Sequence, residues 1–342
     1  MSRALIVGVA GTELTAPETR FLREVRPCGL ILFSRNCAGG DQIRGLVAAA
    51  RAAAGDDLLV SIDQEGGRVQ RLRPPLGRVL APAAAYATRF VEDPDRARRA
   101  AFAVARLVAD DLRALGIDTN CAPVLDVPVH GSHDIIGDRA YGASVASVAA
   151  LGRAVAEGYS AGGVVPIIKH IPGHGRATAD SHLALPRVAA SRADLTQTDF
   201  APFRLLADLP VAMTAHVVFE AIDPHLPASI SPRAHAEVIR GEIGFDGLLM
   251  SDDISMHALS GPFDGRAAAV LAAGSDIVLH CNGDLAEMQA AAAATPVLAG
   301  EARRRLERAC AVRSRRQPFD AGAAEGDLAW VLAAESVRLG LP

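Results

Sequence analysis

Eight short apolar runs, separated by stretches of helical composition, predict a single-domain α/β protein built as a (β/α)8 barrel of the TIM type. Three observations carry that expectation. Most of the runs are continuously rather than alternately hydrophobic, as strands covered on both faces of a parallel sheet are. Their number favours closure, whereas five or six units would favour a doubly wound open sheet, the competing arrangement. Finally, ionisable residues follow several of the runs directly, as they do where the carboxyl ends of parallel strands share one rim.

In chain order the runs cover residues 4–9, 29–33, 58–62, 117–121, 166–168, 211–213, 248–250 and 276–279. Between them, segments rich in Ala, Leu and Arg at 42–54, 95–115, 145–160 and 193–207 have the composition of helices. The closing residues, about 285–341, are Ala- and Arg-rich and are expected to form additional helices outside the barrel. No Pro/Gly/Ser linker and no low-complexity segment divides the chain, so residues 1–342 are expected to form one catalytic domain.

Composition narrows the function. Half of the 342 residues are hydrophobic, ample for a large core. The net charge is −4 and the basic residues are scattered arginines, which excludes the footprint of a nucleic-acid or anionic-membrane binder. A small or neutral molecule is the expected partner, and the protein is expected to act as a monomer. Five cysteines without a CxxC pair argue against a disulfide framework or a zinc knuckle. With no signal-peptide h-region and no apolar run of membrane-spanning length, a cytoplasmic location is expected.

The polar residues after the runs are specific. Ser34-Arg35-Asn36 follow the second run, Asp63-Gln64-Glu65-Gly66-Gly67-Arg68 the third, and Asp126 and the Asp138-Arg139 loop the fourth. Lys169-His170 follow the fifth, Thr214-Ala215-His216 the sixth and Ser251-Asp252-Asp253 the seventh. Neither GxGxxG nor GxxxxGK[ST] occurs in the first strand-helix units, which removes the usual nucleotide signatures.

Each motif also has a plain structural use. Asp252 or Asp253 could cap a helix, or one could be a nucleophile in the barrel mouth while its neighbour holds backbone; the residues favour neither. His170, His174, Asp180 and His182 raise a metal site, although Pro172 and Gly173 argue against the helix that would align the first two. Asp180 and His182 suit another task, a carboxylate orienting an imidazole acid/base, with a polar surface loop as the competitor. Asp63, Arg71, Arg139 and Lys169 would ordinarily be surface charges, but at strand ends they match a sugar pocket: carboxylates accept from hydroxyls and cations donate to oxygens.

DQEGGRVQRL, APVLDV, IIGDRAYG, KHIPGHG with DSH, and SDDISM, in this order and spacing, resemble glycoside hydrolase family 3, in particular its single-domain β-N-acetylglucosaminidases of the NagZ type. The likeness runs from about residue 29 to 282, with Ile171 where the family usually has Phe. It implies a retaining exo-hydrolase in which Asp252 matches the nucleophile and His182, oriented by Asp180, the general acid/base. Asp63, Arg71, Arg139, Lys169 and His170 match positions that hold the N-acetylglucosamine ring. The implied substrates are peptidoglycan fragments, N-acetylglucosaminyl-1,6-anhydro-N-acetylmuramic acid with or without peptide, in cell-wall recycling, with no metal or organic cofactor. A phosphorylase using the same double displacement, a metal-dependent amidohydrolase and a non-catalytic sugar-binding barrel are the alternatives.

Overall fold

Eight parallel strands close a barrel in sequential order in the computed structural model, which describes residues 1–177, 179–181 and 184–338. They are β1 (Arg3–Gly8), β2 (Pro27–Leu32), β3 (Leu59–Ile62), β4 (Thr119–Asn120), β5 (Val165–Ile171), β6 (Val211–Thr214), β7 (Leu248–Asp253) and β8 (Ile277–His280). Each coincides with one of the eight apolar runs, and β2, β3 and β5 are buried at every position. Closure needs both barrel edges to pair, and β1 does so with β2 on one side and β8 on the other.

The fourth strand, Thr119–Asn120, is shorter than the 117–121 run and polar, and the irregularity lies just beyond it. Pro123 has no N–H to give the ladder. The chain nevertheless keeps pairing with β5: the amides of Ile167 and Lys169 donate to the carbonyls of Ala122 and Pro123 at 3.1 and 3.2 Å, and Leu125 N donates to Lys169 O at 2.7 Å. This irregular extension carries Asp126 to the carboxyl end of β5.

Around the barrel lie α1 (Ala16–Val25), α2 (Gly40–Ala54), α3 (Ala83–Glu92), α4 (Pro94–Ala114), α5 (Val145–Ala161), α6 (Arg192–Gln197), α7 (Ala201–Leu205), α8 (Phe263–Ala273) and α9 (Leu285–Ala294). Residues Ala234–Glu242 form a π-helix between β6 and β7. Local chemistry fixes the starts. Thr15 and Glu18 form a capping box on α1, and Asp93, Ser144 and Ser191 accept amide hydrogens at the starts of α4, α5 and α6.

The segment 193–207 is two helices rather than one. Pro202 cannot donate to Thr198 O, and between the helices buried Asp199 turns inward to accept Arg176 Nε at 2.7 Å. The closing region also differs in detail from its expectation. Helix α9 follows β8, packs beside α8 and α1, and so supplies the eighth barrel helix. The additional helices are α10 (Gly300–Cys310) and α11 (Ala321–Arg338). Leu298, Leu306, Ala309 and Val312, in and around α10, join the barrel's inner apolar cluster and plug its amino-terminal mouth, while α11 packs on α3 and α4. No helix among the described residues is long and apolar enough to cross a membrane.

Candidate active site

The plug at one end leaves the other end for chemistry. A cavity of about 250 Å3 opens at the carboxyl ends of the strands, lined by Asp63, Glu65, Arg71, Arg139, Lys169, His170 and Asp252 among others. Thus Asp63, Arg71, Arg139, Lys169, His170 and Asp252, named from the sequence, come together on one surface.

Asp63 follows β3 directly. After it the chain makes a hairpin, Gln64–Gly66 against Val69–Gln70, that returns Arg71 to the same wall. The turn requires glycine: Gly66 has φ 112°, and a Cβ there would lie 2.4 Å from the Ala81 carbonyl. Arg139 ends the short helical turn Gly137–Arg139. Lys169 and His170 lie within β5.

Five of these side chains form a continuous chain of ion pairs. Asp63 accepts Arg71 at 2.9 Å and Lys169 Nζ at 2.9 Å. The same Nζ lies 2.7 Å from Glu65, which grips the Arg139 guanidinium with both oxygens at 2.8 and 2.9 Å. Burial alone would raise Asp63 and Glu65, but their cations win. Lys169 and Arg71 hold Asp63 well below the carboxylate range, and Arg139 with Lys169 brings Glu65 down to about 2. Burial pulls Lys169 down, and the two carboxylates more than restore it, so it stays ammonium.

Asp252 and Asp253 end β7, and the structure separates their roles. Asp253 accepts the amides of Ser255 and Cys281 at 2.9 and 3.0 Å, tying the end of β7 to that of β8. Neither carboxylate caps a helix, because a turn follows and α8 begins only at Phe263. Asp252 Oδ1 accepts the Asp253 amide at 2.8 Å, and the side chain lines the cavity. Burial would raise this carboxyl; the imidazoles of His170 and His216 outweigh it, and the group is held below its ordinary value. His216 donates through Nε2 to the Asp253 carbonyl at 3.0 Å, which leaves Nδ1 to accept from the Ser229 hydroxyl at 2.7 Å. Burial lowers its pKa.

Asp180 lies partly exposed in the loop after β5, and its carbonyl accepts the Ala184 amide at 3.0 Å. His182 lies outside the described residues. Their neighbour Ser181 does line the cavity, with Oγ 3.3 Å from His174 Nε2. The rings of His170 and His174 meet edge to face at 5.6 Å, and no group of three or more His, Cys, Asp or Glu suited to a metal ion occurs among the described residues.

Three participants, Glu65, Asp126 and His216, were placed at strand ends from the sequence but given no role in the site. Glu65 stands two residues from Asp63, and extended backbone puts alternate residues on one side, so the DQE triplet held that signal. Asp126 accepts His170 Nδ1–H at 2.7 Å; its place after the fourth run was legible, but its partner comes 44 residues later. His216 follows the end of β6 by two residues, at the position where other strands deliver ionisable groups.

Comparison with known proteins agrees with this geometry. Residues 7–311 match the glycosyl hydrolase family 3 N terminal domain. The chain belongs to glycosyl hydrolase family 3. A beta-hexosaminidase of Alkalilimnicola ehrlichii is 43% identical over 282 residues, 81% of this chain and 80% of that protein. One from Pseudomonas aeruginosa is 41% identical over 311 residues, covering 90% and 91% of the two chains. Native NagZ from Neisseria gonorrhoeae superimposes with a TM-score of 0.86 at 31% identity over 96% of this chain and 98% of that one. The same neighbour in complex with N-trifluoroacetyl-D-glucosamine gives 0.87 at 31% identity, again over 96% and 98%. This family 3 member is therefore a glycoside hydrolase on a closed (β/α)8 barrel.

Proposed function

We propose that this glycoside hydrolase is a retaining exo-β-N-acetylglucosaminidase that removes terminal N-acetylglucosamine from peptidoglycan fragments, N-acetylglucosaminyl-1,6-anhydro-N-acetylmuramic acid with or without peptide, in cell-wall recycling. The observation that carries the reading is Asp252. It is a carboxylate set back in the cavity with its pKa held below the ordinary value, and so ionised, as a nucleophile toward an anomeric carbon must be. The names of the relatives, beta-hexosaminidases and NagZ, support N-acetylhexosamine as the sugar.

In this mechanism Asp252 attacks the anomeric carbon and displaces the aglycone oxygen, which takes a proton from His182. The glycosyl-enzyme ester is then opened by water, whose proton returns to His182, and the sugar leaves with its configuration retained. Asp180 orients His182. That Ser181, between them, lines the cavity supports placing this pair at the glycosidic oxygen. Asp63 accepts from ring hydroxyls, while Arg71, Arg139, Lys169 and His170 meet oxygens of the sugar. Lys169 and the two carboxylates brace one another, so the site is charged yet preorganised.

The test is hydrolysis of an aryl β-N-acetylglucosaminide beside the matching β-glucoside, by wild type and Asp252→Ala, in phosphate-free buffer with chelator. Rapid cleavage of the N-acetylglucosaminide alone, lost in the variant, supports the reading. Equal rates on the two sugars, or turnover that survives the substitution, defeats it. Release of N-acetylglucosamine from anhydro-muropeptides tests the finer substrate assignment separately.

A further inference from the structure

We propose that Asp126 is a positioning residue of the sugar site: it fixes the tautomer of His170 and, with the same carboxylate, seats the start of the loop that leads to Asp180 and His182. The inference rests on the reading above in one respect, that His170 meets the sugar.

Asp126 is fully buried at the irregular extension of β4. Its Oδ2 lies 2.7 Å from His170 Nδ1, and its Oδ1 accepts two backbone amides, His170 N at 3.2 Å and His174 N at 2.7 Å. Although burial alone would raise the carboxyl, His170 holds it below its ordinary value, so it is ionised. An ionised carboxylate only accepts, so Nδ1 of His170 must carry the proton. With Nδ1 committed, Nε2 is the nitrogen left for a ligand in the cavity that His170 lines. His174 packs edge-on against the His170 ring and restricts its rotation.

Carboxylates with a purely architectural use look different in this protein. Asp118 and Asp276, at the opposite end of the barrel, are each closed by two arginines and a backbone amide. Among the described residues no arginine or lysine bonds Asp126. Its side-chain partner is an imidazole on the cavity wall, which makes the orientation of that ring the consequence of the carboxylate's placement. The two amide bonds add a second consequence. They tie the end of β5 and the first turn of the following loop to one point on the neighbouring strand.

The experiment uses the full chain and reads His170 directly. Imidazole nitrogen-proton correlation spectra, assigned with His170→Ala, are expected to show the Nδ1–H form in wild type and the Nε2–H form in Asp126→Asn, whose amide donates where the carboxylate accepted. The same variant should lose about 10–100-fold in kcat/KM on the aryl N-acetylglucosaminide. In a His170→Ala background the Asn substitution should change kcat/KM less than about threefold, because the Asn oxygen can still accept the two loop amides and the rest of its effect passes through that ring. A wild-type His170 bearing its proton on Nε2 overturns the proposal without any Asp126 variant, as does an equal loss in both backgrounds. Failure of the sugar reading is separate: it appears as wild type not cleaving the N-acetylglucosaminide, and leaves the spectra to decide the tautomer.

Discussion

The two ends of this barrel use the same chemistry to opposite ends. At the amino-terminal end, Asp118 accepts Val60 N, Arg51 and Arg313, and Asp276 accepts Leu249 N, Arg240 and Arg305, under the plug around α10. Those carboxylates are closed by protein. At the carboxyl end, Asp63, Glu65 and Lys169 are just as tightly paired, yet Asp63, Glu65, Arg71, Arg139 and Lys169 all line a cavity. Ion pairing alone therefore does not mark a site; pairing that leaves lone pairs and N–H groups facing an opening does. The N-terminal arginines come largely from helices, so that end is a clamp on the fold, whereas the cavity end gathers charge from strand termini and short loops.

The sharpest way to break the contrast is Asp252→Ala, expected to lower turnover of the aryl N-acetylglucosaminide by about 10⁴-fold or more, as loss of a covalent nucleophile does. Thermal melting should stay close to wild type, because the Asp252 side chain bonds its neighbour's amide and not a distant element. A loss under tenfold would remove Asp252 from the nucleophile's role. Next in size is Lys169→Met, which leaves Asp63 and Glu65 facing each other without their shared cation. Both activity and stability should fall, kcat/KM by about 10²-fold or more and unfolding free energy by about 3 kcal/mol. Kinetics beside urea denaturation would check both, and a stable variant with a pure kcat/KM defect would show that the pair serves only the ligand.

Asp118→Ala is the counterpart at the closed end. It strands Arg51, Arg313 and the Val60 amide, and is expected to lower unfolding free energy by about 3 kcal/mol, read as a shift of the urea midpoint at constant m. The native enzyme's kcat/KM should remain within about twofold of wild type. A large kinetic defect in folded Asp118→Ala would mean that the two ends communicate.

Much of this contrast was legible in the chain, and what was not has identifiable causes. Most of the strands announced themselves because strands buried on both faces are largely apolar, with β4 (Thr119–Asn120) the polar exception, and the cavity residues were legible because they sit at strand ends. Helices were less so. Segment 193–207 has helical composition throughout, but Asp199 is drawn inward by Arg176, a contact no local pattern reveals. The partners of Glu65 and Asp126 escaped for a related reason: Arg139, Lys169 and His170 lie at least 44 residues away in sequence, and only barrel closure brings them within 3 Å. The clamp at the closed end was hidden in the same way, since Arg305 and Arg313 read as ordinary surface charge on a helical tail. His182 was named from its motif, while Asp253 became distinct from Asp252 only when its acceptors were seen to bind Ser255 and Cys281.

The smallest effect compares the ends by pH. Burial lowers His174 at the cavity and His235 at the closed end, each from 6.5 to about 4, and lowers His216 as well. An imidazole kept neutral by the fold takes its proton first in the unfolded chain, so stability is complete above about pH 6.5 and declines as pH falls toward 4. Glu65 behaves as a depressed carboxylate: its contribution is present above about 4.5 and disappears as pH approaches 2. Melting temperature should therefore fall in two stages, the first governed by histidines and the second by the paired carboxylates. His235, which donates to the Ser231 carbonyl and meets the Ser275 hydroxyl, belongs to the closed end alone. His235→Gln should flatten part of the first stage and leave kcat/KM unchanged. His174→Gln should flatten a similar part while altering kinetics, because that ring lines the cavity and packs on His170. Melting curves from pH 8 to 3 on the three proteins decide it: a first stage unchanged in both variants would assign the acid loss to carboxylates alone, and equal kinetics in both would erase the distinction between the two ends.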